Sequence, residues 1–267
     1  MDPIISFRDF TFQYRAQARP TLYNIDLDIY PGEKILIAGP SGSGKSTLAS
    51  CINGLIPFSY PGESTGTLTV DGMEAKKESI FALSKSVGTV LQDPDGQFIG
   101  LTVAEDIAFA LENDCVPQKE MHAAVARAAK LVDVDHHLGF APHELSGGQK
   151  QRVSLAGVMV DAVKILLFDE PLANLDPAAG KQTIELIDRI QKETDTTVLI
   201  IEHRLEDVLW RSVDRIVLMD EGRIAADLRP DELLCSPLLT EAGIREPLYL
   251  TALKYAGVAP SPDKKPA

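Results

Sequence analysis

Cysteine is scarce in this chain: Cys51, Cys115 and Cys235 are the only three in 267 residues. They stand too far apart for a metal knuckle or a disulfide framework, which fits a reducing compartment. Cys51 is expected on a buried helix face, without chemistry of its own. Long apolar runs are missing too. None approaches the roughly 18–20 residues that a membrane-spanning helix needs. The opening MDPIISFRDF has neither a basic n-region nor an apolar h-region, so no secretory leader is expected from it. There is no basic excess either. A net charge of −13 argues against a general nucleic-acid binder, and acidity of this kind usually solvates a surface. No internal repeat is visible.

What is present is an alternation of short apolar runs and helical patterns. Hydrophobic residues make up 45% of the chain, enough for one large domain or a domain with a subdomain. IDLDIY (25–30) alternates as a half-buried strand does, and TLTVDGMEA runs from a strand into a turn at Asp71-Gly72. KILIAG (34–39), VGTVLQ (87–92), KILLFDE (164–170) and TTVLIIEH (196–203) read as central strands. RIVLMDEGRIAA (215–226) reads as a hairpin around Glu221-Gly222. Helices are expected over 102–112, 119–133, 148–161 and 178–193. Strands alternating with helices imply a mostly parallel sheet covered on both faces. The stretch from 93 to 160 has no convincing strand and is expected to form a helical subdomain. The Pro- and Lys-rich end APSPDKKPA is expected to be disordered.

The stretch GPSGSGKST (39–47) follows an apolar strand and precedes a helical pattern. Gly39, Gly44, Lys45 and Ser46 match G-x-x-x-x-G-K-[ST], in which small residues let backbone N–H groups curl around a phosphate. Pro40, Ser41, Gly42 and Ser43 complete the loop, and the helix N-terminus adds partial positive charge. Lys45 is expected to reach the β- and γ-phosphates, Ser46 to ligate Mg²⁺, and Thr47 to touch the α-phosphate of ATP. KILLFDEP supplies a partner motif. Asp169 would hold Mg²⁺, and Glu170 would polarise the attacking water, at the strand ends where ligands sit in open α/β sheets. An apolar strand ending in two acids is common by itself; beside the glycine-rich loop it becomes a hydrolysis site. In LSGGQKQRV (145–153), Ser146 and Gln149 fit a capping box, and Gly147-Gly148 leave that helix end approachable by a second phosphate.

Over residues 3–228 the order and spacing of these motifs resemble those of the ATP-binding-cassette (ABC) ATPases. The resemblance implies an α/β P-loop fold with a mostly parallel core sheet, an antiparallel β subdomain and a helical subdomain. The cassette is expected over 1–228, a C-terminal helical extension over 229–258, and a disordered tail over 259–267. It also implies two cassettes packed head to tail. Each ATP then lies between one cassette's phosphate loop and the other's Ser146, Gly147, Gly148 and Gln149. By the same resemblance Gln92 is the Q-loop glutamine and a Mg²⁺ ligand. Asn174-Leu175-Asp176 form the D-loop, with Asp176 at the nucleotide. His203 is the switch histidine, and Tyr14 stacks on adenine. Taken alone, Tyr14 reads as a strand aromatic, His203 as a strand-end cap and Gln92 as a surface amide. His122, His136, His137 and His143 match no motif and are expected to be exposed. The pair His136-His137 has no third metal ligand in view.

LQDPDGQFIGLTVAEDIAFALEN resembles the energy-coupling-factor (ECF), or cobalt-type, importers of vitamins and transition metals, through Pro94, Asp95, Gln97 and Phe98. ANLDP and IEHRLEDV point the same way. The expected partners are therefore a second ATPase, a membrane T component and a membrane substrate-binding subunit, with the chain peripheral at the cytoplasmic face. Phe98 and Ile99 either line a groove for a helix of the T component or belong to the cassette's own core. The helix-like LLTEAGIREPLYLTALKYAG carries apolar Leu248, Leu250, Leu253 and Tyr255, and in this branch such an extension helps hold two ATPases together. Homodimer, heterodimer and half of a fused double cassette all remain open. The rival class, a soluble cassette ATPase acting on ribosomes or DNA, would bring a second cassette with a basic linker, or a long coiled-coil insertion. Neither is present. A nucleoside-triphosphate kinase would leave 145–149 without a role.

Overall fold

The computed structural model describes residues 2–91, 95–173 and 175–257. Gln92, Pro94, Asn174 and the tail 259–267 lie outside the described residues. The strands are β1 (Ile5–Tyr14), β2 (Leu22–Ile29), β3 (Lys34–Ala38), β4 (Gly62–Val70), β5 (Met73–Glu74), β6 (Val87–Val90), β7 (Ile165–Asp169), β8 (Thr197–Ile201), β9 (Arg215–Asp220) and β10 (Arg223–Leu228). The longer helices are α1 (Lys45–Ile52), then α4 (Val103–Asn113), α5 (Gln118–Leu131), α6 (Gly147–Met159) and α7 (Pro177–Thr194). Short helices are α2 (Leu55–Phe58), α3 (Ile80–Ser84), α8 (Leu205–Val208), α9 (Pro230–Leu234) and α10 (Leu238–Glu241), and α11 (Leu248–Tyr255) closes the described chain.

Two sheets result. One is antiparallel, in the order β2-β1-β4-β5. The other runs β10-β9-β3-β8-β7-β6 and is parallel except for the edge strand β10. Alternation along the parallel strands divides the core in two. Ile35 and Ile37 of β3, Ile165 and Leu167 of β7, and Leu199 and Ile201 of β8 face the antiparallel sheet and α1. Leu36, Ala38, Leu166, Phe168, Val198 and Ile200 face α4, α5, α6 and α7. The parallel sheet is thus a middle layer, and its buried strands read as continuous apolar runs for that reason.

The two Xxx-Gly turns are as expected. Asp71 and Gly72 have φ of 50° and 77°, and Glu221 and Gly222 have φ of 44° and 77°, so both central residues of each hairpin are left-handed. β1 was not foreseen from the sequence. Its buried face is Ile5 and Phe7, then Phe10 and Phe12, because the pairing with β4 shifts between Arg8 and Thr11 and Asp9 takes φ of 44°. This bulge breaks the period-2 pattern that marks a strand. The helix-like stretch after 238 is also corrected. It is two helices, parted by Gly243 at φ of 69° and by Pro247. Leu250 is buried there, Leu253 half-buried, and Leu248 and Tyr255 are exposed.

Candidate functional site

The glycine-rich loop joins β3 to α1 at the C-terminal edge of the parallel sheet. Its glycines are required sterically. A Cβ on Gly39 would lie 2.3 Å from the Met219 carbonyl oxygen, and Gly44, the N-cap of α1, has φ of 99°. The β9–β10 hairpin supports the loop from outside, for the Gly222 N–H donates to the Ser43 carbonyl at 3.1 Å. Lys45 is buried. Its ammonium donates to the Gly39 and Pro40 carbonyls at 2.8 Å each and lies 3.5 Å from Ser43 Oγ. Burial lowers its pKa, opposed by the charges of Glu170 and Asp169. Ser41, Gly42 and Ser46 are exposed. Thr47 is buried, and its Oγ1 lies 3.1 Å from the Tyr14 hydroxyl, so its polar partner is the end of β1.

Both motif acids stand opposite this loop. Asp169 ends β7, and the Ser46 side chain beside it helps to hold its carboxyl down. Burial, and after it the neighbouring Glu170 charge, push the Asp169 carboxyl above its ordinary value, while Lys45 pulls it down. Glu170 takes φ of 50°, and its N–H donates to the Ile201 carbonyl at 2.9 Å. That left-handed step turns the chain out of the sheet just after Asp169. His203, exposed after β8, has Nδ1 at 3.9 Å from Glu170 Oε1. The structure therefore brings Lys45, Ser46, Asp169, Glu170 and His203 together at the ends of β3, β7 and β8. A hydroxyl and a carboxylate side by side are hard oxygen donors and suit Mg²⁺.

Two buried residues that sequence reasoning missed brace this constellation. Glu202 is completely buried. Its Oε2 accepts from the backbone N–H groups of His203 (2.8 Å) and Arg204 (3.0 Å), and its Oε1 accepts from Leu172 N–H (3.2 Å). It staples the loop after β8 to the loop after β7. The one sequence signal is an acid inside the apolar run of TTVLIIEH. Gln151, on α6, donates from Nε2 to the Pro171 carbonyl at 2.5 Å and accepts from Thr183 Oγ1 at 3.2 Å. Nothing in QKQR marks it in advance.

Ser146 does cap α6. Its Oγ accepts from Gln149 N–H at 3.4 Å, while Gln149 Oε1 accepts from Ser146 N–H at 2.8 Å. Gly147 is exposed and Gly148 half-exposed, and a Cβ on either would meet nothing within 4 Å. Among the described residues no hydrogen bond or ion pair joins 145–149 to 39–47. Their helices pack into the two different cores on opposite faces of the parallel sheet. Asp176 is the N-cap of α7, accepting from Ala178 and Ala179 N–H at 2.9 and 3.0 Å. Phe98 is half-buried against the helical core, while Ile99 and Leu101 are exposed. His122, His136 and His143 are exposed. His137 corrects the expectation: it is half-buried, because its ring packs edge-on against Phe140 and contacts Gln149.

The fold and this loop define a P-loop nucleotide-binding protein of cassette architecture. The ABC transporter family profile matches residues 22–173, and a profile described as an ATP-binding cassette cobalt transporter matches residues 236–267. An ABC transporter ATP-binding protein of Clostridium perfringens is 67% identical over 254 residues, covering 95% of this chain and 45% of the relative. One of Enterococcus faecalis is 65% identical over 256 residues, covering 96% and 45%. The chain thus spans about half the length of the curated relatives it matches. Among solved structures, cbiO1 of Clostridium perfringens, part of the ABC transporter complex cbiONQ, superposes with a TM-score of 0.81 at 31% identity, covering 95% of this chain and all of that one. A dimeric ATP-binding cassette in a post-hydrolysis state, with ADP and Pi bound, has a TM-score of 0.71 at 25% identity, covering 84% and 98%. The chain belongs to the ABC transporter ATP-binding family, and within it to the cobalt-type, or ECF-type, ATPases.

Proposed function

We propose that this chain is the motor part of an ECF-type importer, in which ATP hydrolysis drives uptake of a small micronutrient: a vitamin, a vitamin precursor or a metal ion. The carrying observation is the separation of two phosphate-ready helix ends. The Lys45 loop lies beside its acids, while the open Ser146-Gly147-Gly148 end belongs to the other core. Two such ends on one cassette are used together when a second cassette closes over the nucleotide. That cassette is another copy, a paralogue or a further part of a longer chain.

In this reading the Gly39–Thr47 loop holds the triphosphate and Tyr14 the adenine. Ser46, Asp169 and Gln92 would hold Mg²⁺, which when bound neutralises charge on the β- and γ-phosphates. Glu170 takes a proton from water as its oxygen bonds to the γ-phosphorus. The bond to the bridging oxygen breaks, leaving ADP and phosphate. His203 stands by the Glu170 carboxylate to hold the γ-phosphate, and Asp176 belongs to the same interface. The exposed Ile99 and Leu101 beside Phe98 suit a helix of a membrane T component. No helix among the described residues is long and apolar enough to cross a membrane. On this reading membrane subunits provide the path, and the chain sits at their cytoplasmic face.

The test is affinity capture of the intact ATPase from gently solubilised membranes. Recovery with a small multi-spanning membrane protein is expected, and so is ATP hydrolysis that changes when the two are joined. Recovery with ribosomes or DNA, and stimulation by either, would overturn the transport reading.

A further inference from the structure

The end of the α6 helix is held by a reciprocal cap, and the geometry of that cap fixes which way the Gln149 amide points. The Ser146 backbone N–H can only donate, so the Gln149 oxygen faces it, at 2.8 Å. The amide nitrogen is therefore turned away, toward His137, whose Nε2 lies 3.0 Å from Gln149 Nε2. The amide nitrogen carries only donors. The imidazole Nε2 must then accept, which makes the ring neutral and puts its proton on Nδ1. Nδ1 is buried and has no partner among the described residues.

The ring is held in this direction from two sides. Phe140 packs against it edge to face, with centroids 5.2 Å apart at 73°. The turn that carries it is closed by His137 N–H donating to the Val134 carbonyl and by Phe140 N–H donating to the His137 carbonyl, both at 2.9 Å. The same turn is tied to the start of α4, because Leu138 and Phe140 carbonyls accept from Ala104 and Val103 N–H at 2.9 Å each. Neither partner of the ring touches the Lys45 loop.

We propose that His137 is a positioning residue for the signature helix end. Its neutral Nε2 holds the Gln149 amide in the orientation that caps Ser146, and so keeps the Gly147-Gly148 turn formed for the γ-phosphate brought by a second cassette. The inference rests on the composite site proposed above. Without an acceptor at 137 the Gln149 amide loses the contact that orients it. Ser146 N–H then loses a steady partner, and the first turn of α6 frays at the point of nucleotide contact. The effect falls on closure over ATP and leaves capture of nucleotide by the Lys45 loop intact.

The experiment compares His137→Leu, His137→Gln and Ser146→Arg in the full-length, assembled ATPase. Steady-state Mg-ATP hydrolysis is measured beside equilibrium binding of ADP, which has no γ-phosphate for the signature to reach. His137→Leu removes the acceptor at similar bulk and is expected to lower kcat/KM about fivefold or more, the scale of one lost hydrogen bond. Its ADP affinity should stay within about twofold. His137→Gln offers an oxygen near the place of Nε2 and is expected to restore most of the loss. Normal hydrolysis by His137→Leu, a glutamine variant as impaired as the leucine one, or ADP binding lost in parallel would each overturn the assignment. Ser146→Arg separates the two layers of the argument. If it hydrolyses normally, the composite site itself fails. If it is inactive while His137→Leu is unaffected, only the role of His137 fails.

Discussion

The Tyr14 hydroxyl lies 3.1 Å from the Thr47 hydroxyl, and this contact pins the end of β1 to the first turn of the phosphate-loop helix. Phe12 packs edge-on behind the Tyr14 ring at 4.9 Å, so the ring is held by the antiparallel sheet while its hydroxyl reaches the loop. A base stacked on Tyr14 and a phosphate held by the loop would then sit on one rigid frame.

Tyr14→Phe keeps the ring and removes the hydroxyl. It should weaken Mg-ATP and tripolyphosphate alike, by about 1 kcal/mol, the net worth of one hydrogen bond. Tyr14→Ala should cost ATP a further 1–3 kcal/mol or so, the scale of base–aromatic stacking, and cost tripolyphosphate nothing more. Titration of both ligands against both variants separates the roles. Equal losses for the two ligands in Tyr14→Ala would return the ring to a packing role.

Lys45 is the only side-chain cation in the 39–47 loop, and it is buried against two carbonyls. Lys45→Ala should reduce Mg-ATP affinity at least about tenfold, since charge-assisted contacts to phosphate are the strong ones. Isothermal titration reads this directly. Unchanged affinity and hydrolysis would mean that nucleotide binds elsewhere.

Glu170→Gln is nearly isosteric but cannot take a proton from water. Hydrolysis should fall by about 10²–10⁴, the usual worth of a general base, while Mg-ATP still binds. Unhydrolysed ATP should then hold two cassettes closed, visible as an ATP-dependent increase in mass by light scattering, with any paralogue supplied. Adding Ser146→Arg should abolish the increase and spare nucleotide binding. A Glu170→Gln protein that turns over normally would require another base.

Glu202→Leu strips the acceptor from the N–H groups of Leu172, His203 and Arg204. Each buried donor left unmade costs about 1–3 kcal/mol. A clear fall in Tm is expected, and kcat should fall with it because the loops carrying Glu170 and His203 lose their common anchor. A variant as stable as the parent would show that water or rearranged backbone replaces the carboxylate.

A second buried acid gives a pH prediction. Asp188 on α7 pairs with buried Lys34 on β3 and with Lys192 one turn on. Burial raises its pKa, but the hydrogen bonds from Lys192 and Lys34 outweigh this and hold it below the ordinary carboxylate value. A folded pKa below the unfolded one means stability that is fully present above the unfolded value, near 3.8, and is lost as pH falls through the lowered folded value. Urea midpoints should therefore fall steeply at acidic pH in the parent. Asp188→Asn should lose about 3–5 kcal/mol at neutral pH, because Lys34 is left charged and buried. Its remaining profile should be flatter in the acid range, and a profile that runs parallel to the parent's would remove Asp188 from the account.

Much of this protein is determined locally and can be read along the chain. A phosphate loop needs consecutive small residues before a helix, so GPSGSGKST declares itself. Buried parallel strands need unbroken apolar runs, so β3, β7 and β8 are legible, with Asp169 and His203 at or just past their ends. Left-handed turns need glycine, so Asp71-Gly72 and Glu221-Gly222 mark hairpins, and the capping box of Ser146 and Gln149 marks the start of α6. The rest depends on neighbours distant in sequence. The bulge at Asp9 shifts the phase of β1, and only its pairing with β2 and β4 makes a strand of it. Glu202 is tolerable in its buried place just past β8 because three backbone N–H groups from two separate loops converge on it. Thr47 acquires Tyr14 only when the antiparallel sheet layers over α1 on one face of the parallel strands, and His137 acquires Gln149 only when the helical layer on the other face packs the turn after α5 against α6. That layering also separates the two phosphate-ready helix ends, because α1 buries its apolar face in one core and α6 in the other.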